Sequence, residues 1–235
     1  MRLHIIRHAD PDYANDTITE LGHREAEACA ERMAGLGITH LYSSPMGRAR
    51  ATARYTADRI GMEPTILDWT AELQMGRMPD VDGQREIVPW NIAGELVRHT
   101  GRTPTDESWH ELEQYDGIDV RGRQQALAAA SDDFLAGLGH RRNGGLYEID
   151  GPDENVVAVF CHAGFGVSWL AHLLGLPVTL AWVGFYWAPT SVTTILMERR
   201  SPHVAVPRAL AVADTSHLRV AGLPESTRGL PANTR

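Results

Sequence analysis

MRLHIIRHADPDY (Met1–Tyr13) sets an apolar run, Leu3 to Ile6, directly against Arg7 and His8, then places Asp10 and Asp12 around Pro11. Such a run reads as a short buried strand over 2–7. Either it meets solvent at Arg7, or it delivers a cation and an imidazole to a site at its C-terminal end. Next, TELGHREAEACAERMAGLG (Thr19–Gly37) opens on a residue suited to capping a helix. It sets Leu21, Ala26, Cys29, Met33 and Leu36 at helical spacing. ITHLYSS (Ile38–Ser44) reads as a second strand, and Pro45 suits the first turn of a helix running to Gly61. PTILDW (Pro64–Trp69) reads as a third strand. A β-α-β-α-β order predicts a parallel sheet with right-handed crossovers.

From about 75 to 153 the pattern loosens, with frequent Gly, Pro, Asp and Arg. Helices are predicted there over 84–99 and 119–138, and the region reads as an excursion from the sheet. NVVAVFCH (Asn155–His162) is a very apolar strand, followed by a helix that Gly175 and Pro177 stop. Strands are predicted over 191–198 and 206–213. The expected architecture is α/β: a three-layer α/β/α sandwich with a mostly parallel central sheet and a helical lid insertion. It forms one domain over 1–219, with the lid over about 75–153 and a flexible tail over 220–235.

The chain has 235 residues, 43% of them hydrophobic, and a formal net charge of −8. That balance argues against broad nucleic-acid binding, which needs a basic surface to release counterions. No apolar run approaches membrane-spanning length, and MRLHIIR is charged too early for a signal peptide. Cys29 and Cys161 fall in apolar segments and read as buried thiols in a reducing cytoplasm. All 22 basic residues are arginine, which excludes lysine-dependent P-loop, kinase and Schiff-base chemistry.

Two of the most apolar strands end alike, IIRHA at His8 and FCHAG at His162. The C-terminal edges of parallel strands form the ligand crevice of an open sheet, so the two imidazoles can face one another. SSPMGRARATA (Ser43–Ala53) places Arg48 at the start of a helix, where free N–H groups and the dipole favour an anion. Its planar fork matches phosphate oxygens.

RHA after a short strand, LYSSPMGRARATA, AEL (Ala71–Leu73) and FCHAGFG occur in the order found in the histidine phosphatase superfamily, the phosphoglycerate-mutase-like proteins, and the chain resembles that family. TELGHREA and ADTSHL (Ala213–Leu218) look like two further family segments. The resemblance implies that His8 is the nucleophile that becomes phosphohistidine and that Arg7, Arg48 and a protonated His162 surround the phosphoryl group. It implies Glu72 as proton donor, with Glu86 or Glu111 as competitors for that role. It also implies a metal-independent phosphatase without a cofactor, acting on a small phosphorylated metabolite; a homodimer stays open. The family usually has Gly where Ala9 stands, and often an asparagine further along the loop, near Asn15. A phosphoglycerate-mutase-type transfer is the alternative, but QMGRMPDVDGQREIVPWN (Gln74–Asn91) lacks the clustered basic residues and tyrosine that follow the acidic residue in mutases. A non-catalytic phosphate-ligand binding module is the alternative of another class. Asp10 and Asp12 could join His8 and His162 in a metal site, though a turn in which they bond locally fits Pro11 better. Ser191 and His217 are expected to be structural, and Trp90, Trp109 and Tyr115 to form the lid core.

Overall fold

The structure, a computed structural model, describes residues 1–230 apart from 100, 102 and 106. Its 8-stranded sheet contains β1 (Arg2–Arg7), β2 (His40–Ser43), β3 (Thr65–Ile66), β4 (His140–Asn143), β5 (Leu146–Ile149), β6 (Val156–Cys161), β7 (Val192–Ser201) and β8 (Val204–Asp214). The spatial order is β3-β2-β6-β1-β7-β8-β5-β4. The strands β3, β2, β6 and β1 are parallel neighbours. Beyond β1 every pairing is antiparallel, so β7 and β5 run against the other strands. The sheet is mixed and mostly parallel in direction, as expected.

Seven helices flank it: α1 (Glu20–Ala34), α2 (Gly47–Ile60), α3 (Gly94–Arg98), α4 (Val120–Gly137), α5 (Ala163–Leu174), α6 (Val178–Gly184) and α7 (Ser216–Val220) among the described residues. The central strands read as unbroken apolar runs because both faces are covered. Leu3, Ile5, Val157 and Val159 join Leu127, Leu135, Phe165 and Leu170 in one cluster with α4 and α5. Ile6, Ala158 and Phe160 turn the other way, onto Cys29 and Met33 of α1 and Ala53 and Ala57 of α2. Period-2 alternation thus divides one apolar run between two layers. Thr19 caps α1 by accepting the Gly22 amide, and α2 and α5 end on Gly61 and Gly175 at φ 68° and 63°. Glycine occupies that left-handed region without steric cost. Both cysteines are buried free thiols, and burial pushes the Cys29 thiol up to about 12.

The 75–153 excursion divides in two. Over 84–99 the expected helix gives way to a 3-10 turn at Pro89–Asn91 and the short α3. Pro89 lacks the amide that an interior helical position donates. Residues 120–149 return to the body: α4 packs on α5, and the hairpin β4–β5 extends the sheet through β8. Its GG turn (Gly144–Gly145) and the alternation of LYEI were the available signals. The segment α6 after Pro177 also went unread. Of the tail expected over 220–235, residues 226–230 lie against the sheet's C-terminal edge, as described below, and 231–235 lie outside the described residues. Among the described residues no helix is long and apolar enough to cross a membrane.

Candidate active site

Register brings the two histidines together. β1 and β6 are parallel with Arg7 opposite Cys161, so the residues that follow, His8 and His162, emerge side by side. Their ring centroids are 5.1 Å apart at an interplanar angle of 60°. His8 Nδ1 lies 2.7 Å from the Ala9 carbonyl oxygen, which can only accept. Nδ1 therefore carries the proton and Nε2 keeps its lone pair. Burial first, then Arg7 and His162, hold the His8 pKa well below the usual imidazole value. The ring is neutral, as a nucleophile must be.

His162 is fully buried beside His8 and forms no part of the cavity wall. Ser44 Oγ accepts the Met46 amide (3.3 Å) and lies 2.7 Å from His162 Nε2. The oxygen keeps a second lone pair, so this contact joins Ser44 to Nε2 in either tautomer of the ring and leaves Nδ1 on the other side. That Nδ1 is buried and has no protein partner. Burial, then Arg48 and Arg7, hold the His162 pKa well below the usual imidazole value, a direction opposite to the protonated ring expected of it.

Arg7 and Arg48 are 3% and 7% exposed. Arg7 donates through Nη1 to the Trp187 carbonyl and through Nη2 to the Arg228 carbonyl (3.1 Å). Arg48, in the first turn of α2, donates to Asp16 Oδ1 at 2.7 Å, and the Tyr13 ring lies 5.4 Å from its guanidinium carbon. The Nε of each arginine is buried without a partner among the described residues. A buried donor left unpaired costs about 1–3 kcal/mol, more when charged, so two around one histidine suit an incoming anion. Thr52 ties these pieces together, accepting the Ala9 amide (3.0 Å) and donating to the Arg48 carbonyl (2.8 Å).

Glu72 reaches the same cavity from the loop after β3. Its Oε1 accepts the Phe165 amide (2.8 Å) and the Leu73 amide (3.0 Å), and its Oε2 the Gly164 amide (3.2 Å), at the N-terminus of α5. Burial raises its pKa, and the three amides and Arg48 oppose that without cancelling it. Glu86 is exposed and does not line the cavity, nor does Glu111.

The acids after His8 serve the loop. Asp12 accepts the Ala14 and Asn15 amides and the Asn15 side chain at 2.7–3.3 Å. Asp10 accepts from Thr19 Oγ1 and Ser226 Oγ, both at 2.9 Å, and pairs with Arg228 at 3.6 Å. Tyr186 Oη donates to the Ser226 carbonyl at 2.9 Å. These contacts seat residues 226–230 against the loop that follows β1, a position that a Pro, Gly, Ser and Thr composition does not announce. His217 faces Thr190 Oγ1 at 3.1 Å, Ser191 Oγ is buried without a partner, and neither lines the cavity.

Glu25 was not singled out from the sequence, although it stands on the buried face of α1. Its Oε2 accepts the Asp10 amide at 2.7 Å, and burial, with the Asp10 charge added, lifts its pKa to about 7. The folded state thus binds a proton more tightly than the unfolded chain, and this group's contribution to stability falls as pH rises from about 4.5 to 7. Glu25→Gln keeps an acceptor for Asp10 and cannot ionise. The variant is expected to melt a few degrees above wild type at pH 8 and to lose that margin near pH 4; thermal unfolding at both values checks it.

Comparison with known proteins places the fold and the family. Structures of similar fold include a phosphoserine phosphatase of Entamoeba histolytica (TM-score 0.61, 17% identity, 92% of this chain and 98% of that one). A mycobacterial glucosyl-3-phosphoglycerate phosphatase matches with TM-score 0.60 and 22% identity over 92% of this chain and 98% of that one. Together they define the α/β fold class. The chain belongs to the histidine phosphatase superfamily (branch 1), whose family model matches residues 3–208. Among curated relatives, a probable phosphoglycerate mutase GpmB of Erwinia tasmaniensis is 27% identical over 128 residues, 48% of this chain. The match spans 59% of that relative's length.

Proposed function

We propose that the protein is a phosphomonoester hydrolase working through a phosphohistidine on His8. The observation that carries this reading is the tautomer of His8: Nδ1 is committed to the Ala9 carbonyl, Nε2 is free, and two buried arginines stand beside it. Nε2 attacks phosphorus, the N–P bond forms and the P–O bond to the substrate carbon's oxygen breaks. Glu72 gives that oxygen its proton. Water then attacks phosphorus, its proton passes to Glu72 and the N–P bond breaks, returning neutral His8 and phosphate. With the buried His162 ring packed against His8, Arg7 and Arg48 stabilise the charge on the equatorial oxygens, the role metal ions fill in other phosphoryl-transfer sites.

Phosphatase activity is therefore expected to survive excess chelator; a loss that added metal restores would defeat the mechanism. The test of the whole reading is a 32P-labelled phosphomonoester quenched in mid-turnover. Label should stay on the protein, fall off in acid and be missing from His8→Ala. The names of the curated relatives favour mutase-type transfer as the second reading. Release of inorganic phosphate without an isomerised product separates the two.

A further inference from the structure

The cavity above His8 has a volume of about 820 Å³. Pockets of roughly 300–1,000 Å³ hold drug-sized ligands, so a phosphoryl group fills a small part of it. What lines the remainder speaks to the substrate's body.

Charge is unevenly placed. Arg7 and Arg48 stand beside His8, while Arg77, Asp80 and Arg85 line the cavity from the 77–85 segment. Arg85 is spoken for, at 2.9 Å from Asp80 and 3.4 Å from Asp82. Arg77 is exposed and donates to the Glu86 carbonyl at 2.9 Å. A second anion on the substrate would meet the Asp80 carboxylate and one solvent-facing arginine. That is a poor enclosure for a bisphosphate or a phosphocarboxylate.

The remaining walls are apolar and aromatic. Trp90 presses on α5 so closely that a β-carbon at Gly164 would fall 2.6 Å from its ring. Gly164 is two residues past His162, so a flat indole wall stands next to the phosphoryl end of the cavity. Trp182 and Val183 of α6 and Phe185 just beyond it continue that wall, and Leu230 closes it from the C-terminal segment. Phe185 is 36% exposed where it lines the cavity, an aromatic not spent on core packing. A polyhydroxylated body would need many free hydrogen-bonding side chains. Tyr186 already donates to the Ser226 carbonyl and Asp80 is paired with Arg85, which leaves Asn91 and the Trp187 Nε1–H among the few polar groups on these walls, too few for such a body.

We infer that the substrate is a phosphomonoester of a neutral alcohol whose body is a flat apolar ring, laid along Trp90 and Phe185, and that it carries no second anionic group. The inference rests on the hydrolase reading and narrows it. A small molecule is the occupant, because the 77–94 segment and residues 229–230 wall the cavity together.

The test compares kcat/KM for phosphate release from benzyl phosphate, ethyl phosphate and 3-phosphoglycerate, all esters of primary alcohols. One methylene in an apolar pocket changes kcat/KM by about 10–200-fold, so benzyl phosphate is expected to exceed both others by about 10-fold or more. Trp90→Ala and Phe185→Ala are each expected to bring the benzyl-to-ethyl ratio down toward one. Phe185, on the rim, serves if the Trp90 variant fails to fold. Equal or better use of 3-phosphoglycerate, or a ratio that neither variant changes, overturns the inference and leaves the hydrolase standing. No release from any of the three removes the hydrolase reading and the inference with it.

Discussion

His8→Ala is expected to lower kcat/KM by about 10⁴-fold or more and to abolish the acid-labile phosphoenzyme, with little change in thermal stability. The size follows from the role: residues that act as one nucleophilic unit cost several orders of magnitude when the attacking group goes, since the remaining parts only bind and polarise. The residual rate would come from Arg7, Arg48 and His162 holding a phosphate ester against water. Stability should hold because His8 accepts no hydrogen bond that a neighbour needs; its ring donates to the Ala9 carbonyl. The loop keeps its own supports, the Ala9 amide on Thr52 and the Asp10 amide on Glu25. The same variant decides between enzyme and binding module. A binder retains inorganic phosphate affinity in wild type and variant and never forms the covalent species. An enzyme loses turnover when His8 goes. Ser44→Ala offers a graded companion: it removes the hydroxyl that holds the His162 ring through Nε2, and turnover should fall while His8 still takes up label. Turnover in His8→Ala within a few-fold of wild type would end the phosphohistidine mechanism.

Much of this site could be read in the chain because its parts follow from simple rules. Apolar strands covered on both faces are conspicuous, and where they stop marks the edge that binds ligand. Arg7, His8 and His162 are therefore visible as the polar ends of Leu3–Ile6 and Val156–Cys161. Arg48 is visible because a helix start after a strand has a physical use. Asp16 pairs with Arg48 across 32 positions, and nothing in NDT announces that distance. Its backbone at φ 47° is a conformation aspartate tolerates, and its carbonyl approaches Gly47 so closely that a β-carbon there would lie 2.1 Å away. Ser44 stands within LYSSPMGRARATA, but its partner His162 is not legible there, since a serine's hydrogen bond is set by tertiary geometry. The edge hairpin Leu146–Ile149 and its partner were hidden by composition: HRRN is too polar to read as strand, and edge strands carry such residues to discourage further pairing. The direction of β7 and β5 is not legible for a topological reason. Local pattern shows that β7 and β8 are strands, and only the three-dimensional order shows which way they run.

Glu72→Gln is the substitution whose effect should depend on the substrate. For an ester of an ordinary alcohol the departing oxygen needs a proton, and losing a positioned general acid costs about 10²–10⁴-fold in rate. For an ester of an acidic phenol, such as p-nitrophenyl phosphate, the leaving group departs unprotonated and the first step is nearly untouched. The second step still needs Glu72 to accept the water proton. The variant is therefore expected to show a burst of nitrophenol followed by slow turnover, with phosphohistidine accumulating. The pH profile adds a sign. Glu72 must be protonated to act first, and burial raises its pKa, so the wild-type rate with alkyl esters is held to higher pH than an ordinary carboxyl would allow and falls as pH rises through that raised value. The acid limb lies well below the usual imidazole value, because His8 stays neutral until protons overcome its burial and its cationic neighbours. Glu72→Gln should erase the basic limb and keep the acid one. Its amide would place a donor against one of the N–H groups of Gly164, Phe165 and Leu73, so a stability loss of about 1–3 kcal/mol is expected, and the kinetics belong below the variant's melting range. If alkyl and phenyl esters lose rate equally and no burst appears, the proton comes from elsewhere, and Glu72 is a cap on α5 and nothing more.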